Sequence, residues 1–478
     1  MSEEKKMGRR TAIKALVGAA VAAAAIGGGY YAMQKPEAPP PKPTPTTVAT
    51  PTTKPAPVTL NFISSETGEL TTKKGVAKFM DYYKDIKVEF QSLPWGDPYR
   101  DKMAIWFAQK EKLDVVDLSP QWGFHNMELL EPLDPFPGAK ELKEKMIPSI
   151  RESFADPAGN LTGLPWYAGD VSLFYNEKML ADAGIEVGKD QLFKTWDDFT
   201  NACLLLKEKG WWGERRIDAP IIFGLAKDFY GAPFAWASVT ASIGKGAGRI
   251  LDDKLNPLFN EGEPAYEAAE WIRKGLLEWK IIHPASVTSL WPQVREAYYS
   301  GAVAFIHNRS GYLKAGNDPK TSKIAIPGKL NANFSQWPGS TYTATYTEGW
   351  SMPRHCKNKN EAWKLLSFIG GKDWEGKYYM PKLYLFEIGR NPPYPEMYND
   401  PEVIADMSKW INVNRLMKQY EKVIAMETID TVRSRKAWYA KWIDLVCTQL
   451  QLAWTGKATT RQALDAIAAG LNELKKTG

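Results

Sequence analysis

The chain has 478 residues, of which 24% are charged, with 61 Lys and Arg against 55 Asp and Glu. Eight of these basic residues and three of the acidic ones lie within positions 1–57, so the rest is nearly neutral, which argues against a nucleic-acid-binding surface. Three widely spaced cysteines, Cys203, Cys356 and Cys447, are too few for a disulfide scaffold. The body after position 57 exceeds the roughly 250–300 residues that one core supports, so we expect two lobes.

Residues 1–34 have the pattern of an export signal. Arg9 and Arg10 precede the uncharged run Ala15–Met33, and together with Lys14 they resemble a twin-arginine signal. A membrane span needs roughly 20 apolar residues, and this run is rich in Ala and Gly, so a cleaved signal and a retained anchor both stay open. Pro and Thr fill more than half of Lys35–Pro57, which is typical of an extended linker and favours the anchor. We therefore expect an extracellular or cell-surface protein.

The body begins with alternating strand and helix patterns. Five segments are predicted in order: strand Val58–Ser65, helix Lys74–Asp85, strand Lys87–Leu93, helix Asp97–Gln109 and strand Asp114–Ser119. Strands separated by helices of this length form a parallel sheet in an α/β three-layer sandwich. Ligands of such sheets bind beyond the carboxyl ends of the strands. Four candidate side chains follow these strands: Glu66, Trp95, Gln121 and Trp122.

The remaining elements are mostly helical. Extended segments are predicted at Leu161–Tyr167, Asp170–Phe174 and Ala302–Ile306. Helices are predicted at Asn176–Ala183, Thr195–Lys209, Pro264–Trp279, Trp291–Ser300, Lys359–Ile369, Trp438–Leu452 and Thr459–Lys476. Thr459 and Thr460 give the last helix its start signal, and Gly456 ends the helix before it.

Several segments in the body carry a family resemblance. They are DVVDLSPQW (Asp114–Trp122), GLPWYAGDVSLFYNEKMLADAGIE (Gly163–Glu186), KTWDDFTNACLLLKEKG (Lys194–Gly210), YSGAVAFIHNRSGY (Tyr299–Tyr312), EGWSMPRHCKNKNEAWKLLSFI (Glu348–Ile369) and AWTGKATTRQALDAIAAGLNELKK (Ala453–Lys476). In this order they resemble the family 1 extracellular solute-binding proteins, the maltose-binding-protein-like receptors of ABC importers. The strand ending at Tyr312 lacks the family's usual Gly-Ser-Trp, so the register over Asn308, Arg309 and Ser310 stays open.

The resemblance implies a two-lobe, type 2 periplasmic-binding-protein-like fold with an α/β sandwich in each lobe and a hinge between them. It places chain crossings near Tyr167–Asp170, Ile306–Asn308 and Tyr346–Trp350. We accordingly expect a first lobe of 58–168 plus 307–347 and a second lobe of 169–306 plus 348–478. Closure of two lobes about a hinge is a known binding motion of periplasmic receptors.

The resemblance also extends the set of candidate ligand-binding residues. Five tryptophans fall where the family lines its cleft: Trp95, Trp122, Trp166, Trp236 and Trp350. A flat apolar face suits a pyranose ring, although each tryptophan could instead be packing in the core. Carboxylates accept hydrogen bonds from vicinal hydroxyls. The polar candidates are Glu66, Gln121, Asp170, Asn308, Glu348 and Arg390. Asp170 could instead be a turn residue, and Glu348 a solvated hinge carboxylate.

These features together favour a receptor over an enzyme. The resemblance implies a monomer that captures a sugar or oligosaccharide and delivers it to a membrane ABC permease, with no catalytic residues, no cofactor, no metal and no nucleic acid. The 19 tryptophans of the chain favour sugar as the ligand. An exported glycan-acting enzyme with two carboxylates is the main alternative, although neither G-x-S-x-G nor H-E-x-x-H occurs. A receptor on the same fold for a polyol, a peptide or an ion also stays open.

A protein that starts at Val58 is expected to be soluble and monomeric, because the long apolar run lies before it. Light scattering would measure its mass in solution. An obligate oligomer would count against a free-standing receptor.

Overall fold

A computed structural model describes residues 57–124, 128–212, 215–217, 219–228, 230–340, 342–430, 436 and 438–476. The predicted signal or anchor at 1–34 and all of the predicted linker except Pro57 lie outside these ranges. None of the helices within the described ranges is both long and apolar enough to cross a membrane.

Four sheets contain all the strands of the described chain. The strands are β1 (Val58–Ser65), β2 (Ile86–Leu93), β3 (Val115–Leu118), β4 (Leu164–Pro165), β5 (Val171–Asn176), β6 (Trp211–Trp212), β7 (Arg215–Arg216), β8 (Ile221–Ile222), β9 (Phe305–Arg309), β10 (Ala332–Ser335), β11 (Thr343–Ala344), β12 (Gly349–Ser351) and β13 (Val423–Ile424). The first sheet has the order β2-β1-β3-β12-β4, and the second has the order β10-β5-β9-β8. The two remaining sheets are the pairs β11-β13 and β6-β7.

The first sheet follows the predicted parallel pattern. β1 runs parallel to β2 and β3, while β12 is antiparallel to β3 and β4. In the second sheet, β5 is antiparallel to β9 and β10, and β8 is parallel to β9. The carboxyl ends of β1, β2 and β3 therefore lie at one edge of the first sheet, where parallel α/β sheets bind ligands.

Helices cover both main sheets. They are α1 (Glu69–Tyr82), α2 (Asp97–Gln109), α3 (Ala139–Lys145), α4 (Pro148–Ser153), α5 (Glu177–Asp182), α6 (Trp196–Lys209), α7 (Ala232–Ile243), α8 (Pro264–Leu277), α9 (Trp291–Tyr299), α10 (Leu313–Gly316), α11 (Lys359–Gly370), α12 (Tyr379–Ile388), α13 (Pro401–Met407), α14 (Val413–Tyr420), α15 (Met426–Ile429), α16 (Tyr439–Trp454) and α17 (Thr460–Lys475). As predicted, Thr459 caps α17, where its hydroxyl accepts a hydrogen bond from the Gln462 N–H. Sequence patterns did not predict α3, α4, α7, α10, α12, α13, α14 or α15.

The strand pairings correct the predicted division into lobes. Residues 307–347 were expected in the first lobe, but β9 and β10 pair with β5 in the second sheet. The segment 349–351, expected in the second lobe, is β12 and pairs with β3 and β4 of the first sheet. The predicted crossing at Ile306–Asn308 was wrong, because these residues lie inside a strand that has β5 and β8 on either side.

The cysteines belong to the cores of these layers. Cys203, Cys356 and Cys447 are all buried, and none forms a disulfide. Burial raises the pKa of the Cys203 thiol well above its usual range, and it raises the pKa values of Cys356 and Cys447 to about 12. The three thiols are therefore buried and largely un-ionised side chains of the core.

Two chain segments pass between the main sheets side by side. The first lies between β4 and β5, and the second between β11 and β12. The Tyr346 N–H donates to the Gly169 carbonyl over 3.2 Å, and the Trp166 N–H donates to the Glu348 carbonyl over 3.2 Å. The Thr347 hydroxyl donates to the Tyr167 carbonyl over 2.6 Å. We call these paired stretches, 166–170 and 345–348, the crossing segments.

Gly169 permits this close approach. A Cβ atom at this position would lie 1.5 Å from the carbonyl oxygen of Tyr346, so a larger residue requires the backbone to move. Gly169 is therefore required for the contact it makes and not for a left-handed conformation.

Gly169→Ala is expected to lower the free energy of unfolding of the full chain by at least about 3 kcal/mol, the upper end for overpacking. Gly159→Ala is the control, because Gly159 has a φ of 82° and no atom within 4 Å of the place that a Cβ would occupy. The control is expected to lose only roughly 1–2 kcal/mol of unfolding free energy, because alanine is disfavoured in the left-handed conformation. Urea denaturation measures both values, and equal losses would contradict the steric role of Gly169.

Candidate functional site

Aromatic side chains gather where β2 and β3 end. The ring centroids of Trp95 and Trp122 lie 4.4 Å apart, and Tyr99 lies 5.1 Å from Trp95. The indole N–H groups of both tryptophans and the amide nitrogen of Gln121 are buried, and they have no hydrogen-bond partner among the described residues. Buried donors without partners are uncommon in proteins. Donors beside a flat apolar face are suited to a ring that carries hydroxyl groups.

Side chains from the second sheet meet this edge of the first. Ser119 follows β3, and its side chain interacts with Tyr230, which follows β8. The Tyr230 ring lies 5.3 Å from that of Tyr346, and Tyr346 in turn lies 5.2 Å from Trp291. The segments that follow β3 and β8 are thus in contact, and aromatic rings connect them to the crossing segment at Tyr346.

Three arginines and two tyrosines form a cluster beside these rings. Arg309, the last residue of β9, donates hydrogen bonds to the hydroxyl of Tyr167 and, over 2.7 Å, to that of Tyr312. The guanidinium carbon of Arg295 lies 4.0 Å from the Tyr312 ring centroid, and that of Arg390 lies 5.1 Å from it. We call these five residues the arginine–tyrosine cluster. Cation–π contacts of this kind stabilise a guanidinium that has lost water.

Two buried carboxyl groups adjoin the cluster. The Tyr346 hydroxyl donates to Glu348 over 2.6 Å, and Glu348 Oε1 lies 3.8 Å from Arg309 Nη1. Asp117 lies in β3, on the strand next to the one that Glu348 precedes. Burial, reinforced by the charge of Glu348, raises the pKa of Asp117 well above its usual range.

The charge of the cluster acts on Tyr312. Burial alone would raise the pKa of this phenol, but the guanidiniums of Arg309, Arg390 and Arg295 outweigh burial and lower it to about 7. The pKa values of neighbouring Tyr167, Tyr230 and Tyr346 are instead raised well above their usual range, chiefly by burial. Positive charge is thus concentrated around one tyrosine.

Comparison with known proteins identifies the family. The model of the bacterial extracellular solute-binding proteins matches residues 63–375, well over half of the chain. The chain belongs to this family. A protein of Brucella abortus (strain 2308), whose name describes it only as a binding protein, is 25% identical over 344 residues, which are 66% of this chain and 75% of its own.

Solved structures establish the fold of this solute-binding protein. Maltose-bound T. maritima MalE3 matches with a TM-score of 0.71 and 19% identity, over 87% of this chain and 100% of its own. A solute-binding protein from Agrobacterium radiobacter K84, in complex with ribitol, matches with a TM-score of 0.69 and 19% identity, over 88% and 99%. The predicted two-lobe α/β fold is confirmed.

The structure places five of the eleven predicted ligand-binding residues in the two groups just described. Trp95, Gln121 and Trp122 lie together at the end of the first sheet, and Glu348 and Arg390 lie at the arginine–tyrosine cluster. Their contact with a ligand stays a prediction. Two further candidates adjoin the cluster. Trp166 lies 5.3 Å from the Arg390 guanidinium, and the Asn308 amide oxygen accepts from the N–H of Arg309.

Four predicted residues have other roles in the structure. Trp236 and Trp350 are 0% exposed. Trp236 donates to the Ala265 carbonyl between α7 and α8, and Trp350 packs within the first sheet. Both are core residues. Asp170 is also buried, and its carboxylate accepts from the hydroxyls of Ser172 and Ser310 beside the crossing segments. Glu66 is exposed, because it points away from the interior just after β1 ends.

Sequence patterns missed most of the arginine–tyrosine cluster. Arg309 lay inside the stretch whose register the resemblance left open. The sequence nevertheless contained a signal for it: an arginine at the end of an apolar strand is rarely buried without a partner. Tyr167, Arg295 and Tyr312 gave no such signal, since their grouping depends on contacts between distant segments.

Near-ultraviolet absorption of the full chain is expected to show one tyrosine that ionises near pH 7, because the guanidiniums lower the pKa of Tyr312 to about 7. The folded-state value lies below the usual value of about 10, so ionisation stabilises the folded state, and this contribution grows as the pH rises from 7 to 10. Tyr312→Phe should lack the step. A titration without a step below pH 9 would contradict the effect of the cluster.

Proposed function

We propose that the protein is an extracellular receptor of an ABC importer that captures a carbohydrate, such as a sugar or polyol, between its two lobes and passes it to a membrane permease. The observation that carries this proposal is the Trp95–Trp122 pair, with its buried, unpartnered donors, at the carboxyl end of the first sheet. Membership of the solute-binding family and structural likeness to maltose-bound and ribitol-bound proteins support it.

The chemistry of this site suits a carbohydrate. The indole face of Trp122 offers apolar area to the C–H groups of a sugar ring. Gln121 Nε2 and the indole N–H groups can donate to hydroxyl oxygens that have left water. The predicted ligand-binding roles of Trp166, Glu348 and Arg390 belong to the same proposal.

Access for a ligand requires the lobes to separate. The Ser119 side chain after β3 interacts with Tyr230 after β8, and Trp122 is only 5% exposed, so the site is covered in this structure. The crossing segments are hydrogen-bonded to each other. They are also short, and a hinge consists of a few such residues between rigid elements. Separation of the sheets about these segments would expose the Trp95–Trp122 pair, and a bound ligand would draw the lobes together.

Export and tethering complete the proposed role. The twin-arginine-like leader at 1–34 would direct the chain across the membrane, and if retained it would hold the protein there. The Pro- and Thr-rich linker would then act as a semi-rigid spacer between the membrane and a monomeric body.

One observation favours the alternative of an exported glycan-acting enzyme. Burial and the neighbouring Glu348 raise the pKa of Asp117, and two adjacent carboxyl groups can act as general acid and base. Glu348, however, is engaged by Tyr346 and lies near Arg309. We infer a structural and binding role for this pair and no catalysis.

Carbohydrate binding should be visible as thermal stabilisation of the full chain, measured by intrinsic fluorescence against oligosaccharides and polyols. A ligand at 100 times its dissociation constant adds about 2.7 kcal/mol to stability. Trp122→Ala should weaken the affinity by roughly tenfold or more, because it removes the ring face and one donor.

Trp374→Ala is the matched control, because Trp374 stacks on Tyr82 at 3.8 Å, on helix α1 and away from the ends of β2 and β3. Its affinity should equal that of the unchanged protein. Stabilisation by no carbohydrate, or conversion of a sugar to products over hours, would contradict the proposed receptor.

A further inference from the structure

The arginine–tyrosine cluster concentrates positive charge in a buried place. The guanidinium carbons of Arg295, Arg309 and Arg390 lie 4.0, 4.9 and 5.1 Å from the centroid of the Tyr312 ring. Arg309 is 9% exposed and Arg390 is 6% exposed. Guanidinium groups remain charged at any ordinary pH, so three positive charges surround one tyrosine.

Negative charge near these arginines is scarce. Glu348 lies 3.8 Å from Arg309, but no carboxylate of the described residues lies within 4.0 Å of Arg295 or Arg390. Neither Asp117 nor Asp170 pairs with any of the three guanidiniums within 4.0 Å. Among groups in direct contact with the three arginines, Glu348 and an ionised Tyr312 together would still leave one positive charge in excess. Burial of an unpaired positive charge costs considerable free energy, and an anionic partner would lower this cost.

Donor atoms remain available on two of these side chains. Arg309 uses Nη1 and Nη2 for the hydroxyls of Tyr167 and Tyr312. Its Nε, and the Nε of Arg390, are buried and have no hydrogen-bond partner among the described residues. Arginine presents its donors as a rigid fork that matches the oxygens of a carboxylate or a phosphate. A neutral hydroxyl would satisfy one donor and leave the charge unpaired.

We propose that the solute bound by this protein carries an anionic group, and that Arg309 and Arg390 bind this group as the lobes close. The inference rests on the proposed function, because it takes the cleft to be a carbohydrate site. It narrows the ligand to an acidic saccharide, in which the anion is either the carboxylate of a uronic acid or the phosphate of a sugar phosphate. The Trp95–Trp122 pair would bind the ring of the same ligand.

The first test compares charged and neutral probes of matched shape on the full chain in mild detergent. Isothermal titration calorimetry would use digalacturonate beside digalactose, and glucose 6-phosphate beside glucose. At least one acidic probe should bind roughly tenfold or more tightly than its neutral counterpart. Added NaCl should reduce this advantage only modestly, because the charges are buried. The probe pair with the larger difference in affinity identifies the bound anion as a carboxylate or a phosphate.

The second test uses variants. Arg390→Gln should lose at least roughly tenfold in affinity for the acidic probe and keep its affinity for the neutral one. Arg295→Gln is the second variant. It removes one of the three positive charges and should also weaken binding of the acidic probe, and it disturbs packing less because Arg295 is only half-buried. Arg354→Gln is the matched control, since its side chain is 46% exposed and pairs with Glu128 outside the cluster. The affinity of this control for both probes should equal that of the unchanged protein.

A spectroscopic signature separates charge pairing from packing. Binding of the acidic probe should shift the ionisation of Tyr312 to higher pH, because the anion neutralises the arginines that favour the phenolate. The neutral probe should leave this titration unchanged.

The outcomes distinguish the two proposals. Neutral sugars that bind as tightly as acidic ones, with Arg390→Gln and Arg295→Gln unaffected, would overturn the anionic ligand and leave the carbohydrate receptor in place. Binding of no saccharide at all would overturn both.

Discussion

The contact between the two crossing segments is the constraint on which the rest of the structure depends. The Tyr346 N–H reaches the Gly169 carbonyl only because no side chain separates the two strands of backbone. This pairing brings β12 back into the first sheet after the chain has built the second one. Residues from positions as distant as Tyr167 and Glu348 are therefore neighbours, and the candidate site is assembled from segments that the sequence keeps far apart.

The crossing segments also explain why charged groups are found in an otherwise aromatic interior. Arg309 lies between Tyr167, Tyr312 and Tyr346, and its charge is offset by ring faces, hydroxyls and one carboxylate. In a region with little water, each of these interactions is stronger than at the surface, and so is the cost of any charge left over. Under the proposed function, the arginine–tyrosine cluster would respond to the charge of a ligand, whereas the Trp95–Trp122 pair would offer it flat apolar faces and N–H donors.

Local patterns predicted most of the longer strands and helices, and long-range pairing limited the rest. The alternation of Val58–Ser65 and the capping Thr459 are signals contained within a few residues, and the structure confirms both. The predicted strand Ala302–Ile306 begins three residues before the observed Phe305–Arg309, and its sheet was not predicted, because either sheet could accept an apolar strand of that length. Trp236 and Trp122 illustrate the same limit for the site. Both are nearly fully buried, and only their positions in the fold separate a core residue from a candidate ligand contact.

The absence of disulfides among the three described cysteines has a consequence for how the protein matures. Its lobes are stabilised by apolar cores and by side-chain hydrogen bonds, so no step of folding requires an oxidant. The thiols are buried and have raised pKa values, which keeps them largely unreactive toward small disulfides. The folded body is thus compatible with both a reducing and an oxidising compartment.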